Sequence, residues 1–252
     1  MDLLIKGRRA VVCASSQGLG FGCAEALAEA GCTVVLNARR EGPLLEAAQT
    51  LRGRTGAEVL TLVADVTTQD GRARLLDVAS DADILVTNAG GPPPGDWQDW
   101  NRDDFIAALD GSMLSPIALM QALVPGMMQR GWGRVVNITS SSVKAPIQPL
   151  GLSNSARAGL TGFVAGVARQ VAKHGVAINN LLPGVHDTAR IDQMDDHAAS
   201  QQSISRAEAR ATRTASIPAA RYGDAQDAGI LTTKNLDPKD PALGCLRERL
   251  KA

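Results

Sequence analysis

Short apolar runs that alternate with longer helical stretches constrain the fold of this chain more than any other feature. The runs are apolar throughout rather than at every second residue, as strands buried on both faces require. They span Arg9–Ala14, Thr33–Ala38, Glu58–Ala64, Asp83–Thr87, Arg134–Ile138 and Val176–Leu182. Helical stretches fill the gaps at Phe21–Ala30, Leu44–Leu51, Arg72–Val78, Asp103–Arg130 and Ser155–Lys173. This order predicts an α/β fold with a doubly wound parallel sheet between two helical layers.

The chain of 252 residues contains no internal repeat, low-complexity tract or linker, which predicts a single domain over residues 1–252. Lys plus Arg and Asp plus Glu each number 26, so the net charge is zero and no nucleic-acid partner is expected. No run of about 18 apolar residues is present, and Lys6, Arg8 and Arg9 interrupt the N-terminal apolar segment. We therefore expect a cytoplasmic protein without a membrane partner.

The four cysteines, Cys13, Cys23, Cys32 and Cys245, form no Cys-x-x-Cys pair. This distribution favours buried free thiols in a reducing compartment over disulfides or a metal site. The three histidines are scattered, so no metal is predicted.

A glycine-containing loop joins the first strand to the first helix. Gly18 and Gly20 allow a tight turn and a close approach of the backbone to a ligand. The helix that follows directs free N–H groups and a positive dipole end towards an anion. The residues expected to hold a pyrophosphate are Ser15, Ser16, Gln17, Gly18, Leu19 and Gly20. An ordinary glycine-rich turn is the alternative.

The residues at the end of the second strand are expected to contact the ribose of such a ligand. Sites for NAD usually place an acidic residue there, which accepts a bond from the 2′-hydroxyl. This chain has Asn37 instead, followed by Arg39 and Arg40. Because guanidinium groups suit a phosphate, these residues predict NADP(H) as the cofactor. The alternative is a solvated arginine pair at a helix start.

Five ordered motifs give the chain, from about Ile5 to Asp224, a resemblance to the short-chain dehydrogenase/reductase family, and within it to the β-ketoacyl-reductase-like members. The motifs are Cys13–Gly20, Asp65-Val66, Asn88-Ala89-Gly90, Asn137-Ile138-Thr139-Ser140, and Pro183-Gly184 with Thr188. The resemblance implies a Rossmann-type, three-layer α/β/α fold. It also implies further cofactor contacts from Asp65, Val66, Asn88, Ala89, Gly90, Pro183, Gly184, Val185 and Thr188.

The resemblance implies hydride transfer between a nicotinamide and a carbonyl or carbinol carbon, with Ser140 orienting the substrate oxygen. The family's Tyr-x-x-x-Lys pair is replaced by Ser153 and Arg157, and Ser112 stands where the family has a helix asparagine. We expect Arg157 to hold the ribose and Ser153 or a water to substitute for the tyrosine. His186 is another candidate proton donor, although a locally packed loop histidine is the simpler interpretation.

Two functions remain open at this stage. The first is an NADP(H)-dependent oxidoreductase that reduces a ketone, of 3-oxoacyl type, or oxidises a secondary alcohol. The second is an NADP(H)-binding protein with little or no turnover and a regulatory or structural role. The substrate of the first would be a small molecule, and either protein is expected to be a homo-oligomer, with a dimer more secure than a tetramer.

Two segments are predicted to surround the substrate, and a third segment departs from the family's pattern. The loop Gly90–Gly95 should border the cleft, with Trp97 and Trp100 either lining it or packing against a helix. Residues 187–216 fit a mobile lid whose arginines either meet an anionic substrate or form a solvated face. Residues 225–252 are expected to form an atypical, shortened C-terminus, in which Ala228–Thr233 resembles the lead-in to a last strand with the preceding helix missing.

Overall fold

The computed structural model describes residues 3–234, which build one sheet of six parallel strands. The strands are β1 (Arg9–Val12), β2 (Thr33–Ala38), β3 (Val59–Val63), β4 (Ile84–Thr87), β5 (Gly133–Ile138) and β6 (Val176–Leu181). Their order across the sheet is β3-β2-β1-β4-β5-β6, and each neighbouring pair is parallel. The chain reverses its direction of winding between β1 and β4, which is where such sheets bind ligands. All six predicted strands are confirmed.

Nine helices are present in the described residues, besides short single turns. They are α1 (Gly18–Glu29), α2 (Glu41–Thr55), α3 (Gln69–Ala79), α4 (Arg102–Leu109), α5 (Ser115–Gln129), α6 (Gly151–Val171), α7 (Ala189–Gln202), α8 (Arg206–Ser216) and α9 (Ala225–Lys234). Successive strand residues enter opposite layers: Val12 packs with Leu27 of α1, and Val11 packs with Leu119 of α5. The predicted three-layer arrangement is therefore confirmed.

The long helical region predicted over residues 103–130 is observed, and neither of its two prolines ends it. A π-helical turn, Asp110–Leu114, connects α4 to α5. Pro116 lies in the first turn of α5, directly after the π-helical turn, and the helical run continues through it. Pro125 lies inside α5 and does not end it.

The continuous helical run Arg102–Gln129 is long and apolar enough to cross a membrane by length and composition alone. Sequence analysis, which found no run of about 18 apolar residues, predicted no membrane-spanning segment. In the fold, Leu119, Met120, Leu123 and Met127 of this run are buried in the core beneath the sheet. Core helices pass the same length and composition test.

The prediction that the last helix is missing is wrong for the part of the C-terminal segment that the structure describes. Residues 225–234 form α9, which packs along α1. The resemblance to the family suggested the start of a strand here, but Gly22 and Gly229 let the backbones of α1 and α9 touch. A Cβ on Gly229 would overlap the carbonyl oxygen of Gly22. The remaining part of the predicted C-terminus, with Cys245, lies outside the described residues.

Candidate active site

The loop after β1 has the backbone geometry of an anion-binding turn. Ala14 and Gly18 both adopt positive φ, 47° and 57°. The residue before α1, Gln17, makes no side-chain capping bond, so the first amides of the helix remain available to a ligand. Gly20 is required by packing, because a Cβ there would overlap the carbonyl oxygen of Ala14.

Two neighbouring strands brace this loop from behind. The Ser15 hydroxyl donates to the carbonyl of Val12 at 2.8 Å, and the Ser15 amide donates to the carbonyl of Asn37 at 2.9 Å. From the end of β4, the Asn88 amide group donates to the carbonyl of Ala14 at 3.3 Å. Asn88 thus holds the loop in shape, and Ser15 is buried beneath it.

Asn37 was expected at the cofactor ribose, but the structure does not bring its side chain to that surface. The residue is 1% exposed, and its carboxamide nitrogen donates to the carbonyls of Leu62 and Ala64 at 3.1 and 3.0 Å. Its side chain joins β2 to β3 instead. A polar residue at the end of a buried strand satisfies the neighbouring strand's carbonyls before it reaches solvent.

Arg39 and Arg40 follow β2 on the surface and are exposed. Arg39 lies 3.9 Å from Asp65, at the end of β3, and its side chain is 74% exposed. Burial raises the pKa of Asp65, but bonds from the amide and hydroxyl of Thr67 and the charge of Arg39 leave that pKa below its usual value. Val66, beside it, is buried.

Ser140, at the end of β5, is half-buried and begins a short helical turn. Its Oγ accepts a bond from the amide of Ser142 at 3.1 Å. Among residues 3–234, its hydroxyl proton has no acceptor, so Ser140 retains a donor for a ligand oxygen.

Arg157 and Ser153 lie one turn apart on α6, and both are buried. The Arg157 Nη1 donates to the carbonyls of Ile138 and Thr139 at 2.7 and 2.8 Å, so the guanidinium is fixed to the end of β5. Its Nε donates to Ser153 Oγ at 3.0 Å. Burial, and then the charge of Arg190, lower the pKa of Arg157 to about 10, at which the side chain is still charged at neutral pH.

A cavity of about 10 Å³ separates Arg157 from the end of β4 and the π-helical turn. Ser112, on that turn, lines the cavity, and its buried hydroxyl has no partner among the described residues. Asn88 and Ala89 line the cavity as well. Ser112, which sequence analysis places at the position of the family's helix asparagine, therefore lines the same cavity as Arg157.

The segment after β6 contacts the turn that follows β5 and lies over the phosphate loop that follows β1. The Pro183 carbonyl accepts a bond from the Ser141 amide at 2.9 Å, and the Val185 carbonyl accepts one from the Gly223 amide at 3.0 Å. Thr188 begins α7 over the phosphate loop, so that a Cβ on Gly18 would lie 3.5 Å from Thr188 Cγ2. The predicted site residues of these segments thus converge on one edge of the sheet.

The loop Gly90–Gly95 borders this edge, as predicted. The amide of Gly95 donates to the carbonyl of Pro149 at 3.0 Å, which ties the loop to the start of α6. Trp100 fills the space beside Gly95 and Gly151, so it packs against the helix. Trp97 is 71% exposed.

The lid predicted over residues 187–216 consists of α7 and α8 held together by ion pairs. Buried Asp195 receives the Nε of Arg213 at 2.7 Å and the hydroxyl of Tyr222 at 3.2 Å. Burial and then the charge of Asp195 raise the pKa of Tyr222. The single tyrosine of the chain therefore fastens the lid and is a weaker acid than a free phenol.

His186 adopts the simpler of its two predicted roles. It forms an isolated bridge with Gly223, and its ring packs against that residue. Its Nδ1 lies 3.3 Å from the carbonyl of Gly184.

Cys13, Cys23 and Cys32 are free and buried, which confirms the prediction for three of the four cysteines. Burial raises their pKa values to about 12, 11 and 12. In the described residues, no group of three or more His, Cys, Asp and Glu side chains is placed to hold a metal ion.

Comparison with known proteins identifies the family. The model of the short chain dehydrogenase family matches residues 8–199. The chain belongs to this family. This short chain dehydrogenase is 29% identical over 226 residues to the 3-oxoacyl-[acyl-carrier-protein] reductase of Vibrio harveyi, covering 88% of the chain and 87% of the relative. It is 32% identical over 200 residues to dehydrogenase/reductase SDR family member 4 of Bos taurus, covering 77% and 71%.

Solved structures of similar fold extend the comparison. The L-sorbose reductase of Gluconobacter frateurii, crystallised with NADPH and L-sorbose, superposes on the short chain dehydrogenase with a TM-score of 0.86. Its identity is 26%, and the match covers 92% of this chain and 91% of that one. The actinorhodin polyketide ketoreductase with NADPH has a TM-score of 0.87 at 24% identity, over 94% of this chain and 92% of that one.

Sequence analysis missed the particular position of Arg190 in this short chain dehydrogenase. Arg190 was one of four lid arginines with nothing to distinguish it. In the fold, it lies in the second position of α7 and contacts the carbonyl of Pro92 across the cleft. No signal in the sequence separates it from Arg206, Arg210 and Arg213, because ion pairing between helices is a tertiary property.

Proposed function

We propose that this short chain dehydrogenase is an NADP(H)-dependent oxidoreductase that reduces a ketone, of 3-oxoacyl type, or oxidises the corresponding secondary alcohol. One observation carries the proposal: an uncapped α1 N-terminus, an exposed Arg39 and a free Ser140 hydroxyl donor lie along one edge of the sheet. These are the binding and orienting groups that the reaction needs. The NADPH complexes of the similar reductases support the choice of cofactor.

The residues of this edge fit the parts of the cofactor. The amides at the start of α1, near Gly18, would hold the pyrophosphate, and Arg39 with Arg40 would hold the 2′-phosphate. Asp65 and Val66 would contact the adenine, and residues 88–90, 183–185 and Thr188 would contact the nicotinamide half. Bound there, the nicotinamide supplies or accepts the hydride.

Ser140 orients the substrate by donating a hydrogen bond to its carbonyl oxygen. Arg157 is fixed close to the end of β5, and its positive charge stabilises negative charge on that oxygen as it develops. Its Nη2, which has no partner among residues 3–234, remains a donor for a ribose hydroxyl or a bridging water.

Water delivers the proton to the substrate oxygen in this proposal. Ser153 is a poor acid, because a hydroxyl without an adjacent base seldom ionises, and Arg157 donates to it rather than accepting from it. Positioned acid catalysis contributes about 10²–10⁴-fold. Turnover is therefore expected to be slower by a factor of this order than that of a family member with the tyrosine.

The geometry of Ser153 and Arg157 also favours a second candidate function. Both side chains are buried and bonded to each other, and the Arg157 Nη1 is occupied by two backbone carbonyls. A protein that binds NADP(H) with little turnover, in a regulatory or structural role, has the same cofactor contacts and needs no proton donor.

We also propose that the protein is cytoplasmic and forms a homodimer through the helical run 102–129 and α6. Phe105, Ile106 and Leu114 expose apolar surface along that run.

Fluorescence titration with NADPH, followed by a ketone panel monitored by loss of reduced-cofactor absorbance, tests the proposal. We expect NADPH to bind more tightly than NADH and at least one ketone to be reduced. Ser140→Ala should lower kcat/KM at least tenfold, whereas Ser141→Ala, at the exposed neighbouring position, should leave it unchanged. NADPH binding without any turnover supports the second function, and no binding of either nucleotide contradicts both.

A further inference from the structure

The arginines of the lid divide into two groups. Arg206, Arg210 and Arg213 pair with carboxylates of α7 or of the segment before it. Arg206 contacts Asp192, Arg210 lies 2.7 Å from Asp187, and Arg213 lies 2.7 Å from Asp195. These three guanidinium groups bind α8 to α7, so their charges are compensated within the lid.

Arg190 has no carboxylate within ion-pair distance in the described part of the chain. Its Nη2 contacts the carbonyl of Pro92, and its Nη1 lies 3.3 Å from Gln193 Oε1. A Cβ on Gly91 would lie 3.2 Å from Arg190 Nη2, so the guanidinium lies flat against the loop that borders the cleft. It is half-buried there and retains its charge without a counter-ion.

Arg157, on α6 beside the end of β5, is the second such cation. Its partners are two carbonyls and a hydroxyl, and within residues 3–234 no carboxylate pairs with it. The charge of Arg190 is close enough to add to burial in lowering the pKa of Arg157, and no acidic group opposes this effect. Two uncompensated guanidinium groups therefore act on the space between the 90–95 loop and the end of β5.

A pair of like charges without counter-ions raises the energy of the protein unless a ligand neutralises it. Guanidinium groups bind carboxylates and phosphates through forked, charge-assisted hydrogen bonds. Because Arg190 is held by a single backbone carbonyl and an amide, exchange of those neutral partners for an anion is favourable.

We propose that Arg190 determines substrate specificity by binding an anionic group, a carboxylate or phosphate, carried by the carbonyl substrate, with Arg157 adding to the positive field. This inference rests on the proposed function and narrows its substrate class to short oxo acids and phosphorylated ketones. Arg190 is a specificity-determining residue here and takes no part in hydride or proton transfer.

Matched substrate pairs test the inference after NADPH binding has been established. We would compare acetoacetate with methyl acetoacetate, and dihydroxyacetone phosphate with dihydroxyacetone, which differ only in the anionic group. The anionic member of one or both pairs should have the higher kcat/KM, by about 10- to 100-fold for one charge-assisted bonding group. The pair that shows the difference identifies the anion.

Substitution of the arginine separates a substrate effect from a cofactor effect. Arg190→Met should abolish the preference for the anionic member and leave the activity on the neutral member and the Kd for NADPH unchanged. Arg206→Met is the matched control, since it removes a lid arginine that already has carboxylate partners. If turnover is too slow to measure, substrate binding is measured instead. Acetoacetate and dihydroxyacetone phosphate are then titrated into the NADP⁺ complex by calorimetry.

The outcomes distinguish this inference from the proposed function. Equal rates on both members of each pair, unaffected by Arg190→Met, overturn the inference and leave the oxidoreductase intact. If Arg190→Met binds NADPH more weakly and its substrate preference is unchanged, Arg190 contacts the cofactor phosphates instead of the substrate. That result also overturns the inference. If nothing is reduced, Arg190-dependent binding of an anion in calorimetry still supports the anion site, and the absence of such binding contradicts it.

Discussion

Arg157 Nε donates a hydrogen bond to Ser153 Oγ at 3.0 Å, so the two residues predicted to replace the family's lysine and tyrosine bond to each other. The same guanidinium also satisfies the carbonyls of Ile138 and Thr139 at the end of β5. These bonds hold the positive charge of Arg157 in one place beside the end of β5. The substitutions are thus coupled, and each gives the other a buried partner.

Arg157→Lys should destabilise the protein by about 1–3 kcal/mol, because an ammonium group cannot reach both carbonyls and Ser153 from one position. Urea denaturation monitored by circular dichroism measures the change. Arg169→Lys, at an exposed position on the same helix, should change the stability by less than about 0.5 kcal/mol. Equal effects of the two substitutions would show that the buried bonds contribute little.

The double variant Ser153→Tyr/Arg157→Lys restores the family's pair, and turnover of an accepted ketone should rise by about 10²–10⁴-fold. The physical reason is that a phenol beside a cation is a far better proton donor than a serine hydroxyl. Steady-state kinetics at saturating NADPH measure the gain. Ser155→Tyr/Arg157→Lys places the phenol at an exposed position of the same helix and should give no gain. A well-folded double variant with unchanged kcat would contradict the assignment of these positions.

Arg39→Asp should weaken NADPH binding by about 10- to 150-fold, the equivalent of the 1.5–3 kcal/mol of a charge-assisted bond, and shift preference towards NADH. The carboxylate repels the 2′-phosphate and accepts a bond from a 2′-hydroxyl. Fluorescence titrations with both nucleotides give the two Kd values. Arg74→Asp makes the same charge change at an exposed position of α3 and should leave the ratio unaltered. An unchanged preference in Arg39→Asp would exclude Arg39 from phosphate binding.

Ala14→Gly should stabilise the protein by about 0.5–1 kcal/mol. Ala14 adopts a φ of 47°, which costs an L-residue roughly 1–2 kcal/mol, and glycine removes most of that cost at the expense of greater freedom in the unfolded chain. Thermal unfolding should show a higher Tm. The same substitution at Ala73, exposed within α3, should lower stability by about 1 kcal/mol. A loss of stability in both variants would indicate that Ala14 is not strained.

Gly229→Ala should destabilise the protein, because the new Cβ would overlap the carbonyl of Gly22 and force α9 away from α1. A cost of about 1–3 kcal/mol is usual for overpacking of this kind. Gly53→Ala is the matched control: nothing lies within 4 Å of its Cβ position on α2, and the substitution should stabilise by about 0.4–1 kcal/mol. Denaturant unfolding measures both. Similar gains in the two variants would place α9 elsewhere.

The sequence by itself determined the strands, the helices between them and the glycine-containing loop before α1, because these depend on local patterns. Apolar runs predict buried strands, and glycines after the first strand predict the turn before α1. The substitutions at Ser153 and Arg157 were also predicted from the sequence, because the number of residues that separates them from Ser140 does not depend on packing.

Only the tertiary structure decided what the polar side chains do. Asn37 lies at the predicted position in sequence but turns into the sheet, because the carbonyls of the neighbouring strand compete for its amide. Segment 225–234 is a helix rather than a strand, because two glycines distant in sequence allow helix backbones to touch. Arg190 differs from the other lid arginines only through which carboxylates come near each one. Hydrogen bonding, close packing and charge compensation join residues that are far apart in the chain, and local sequence patterns do not predict these contacts.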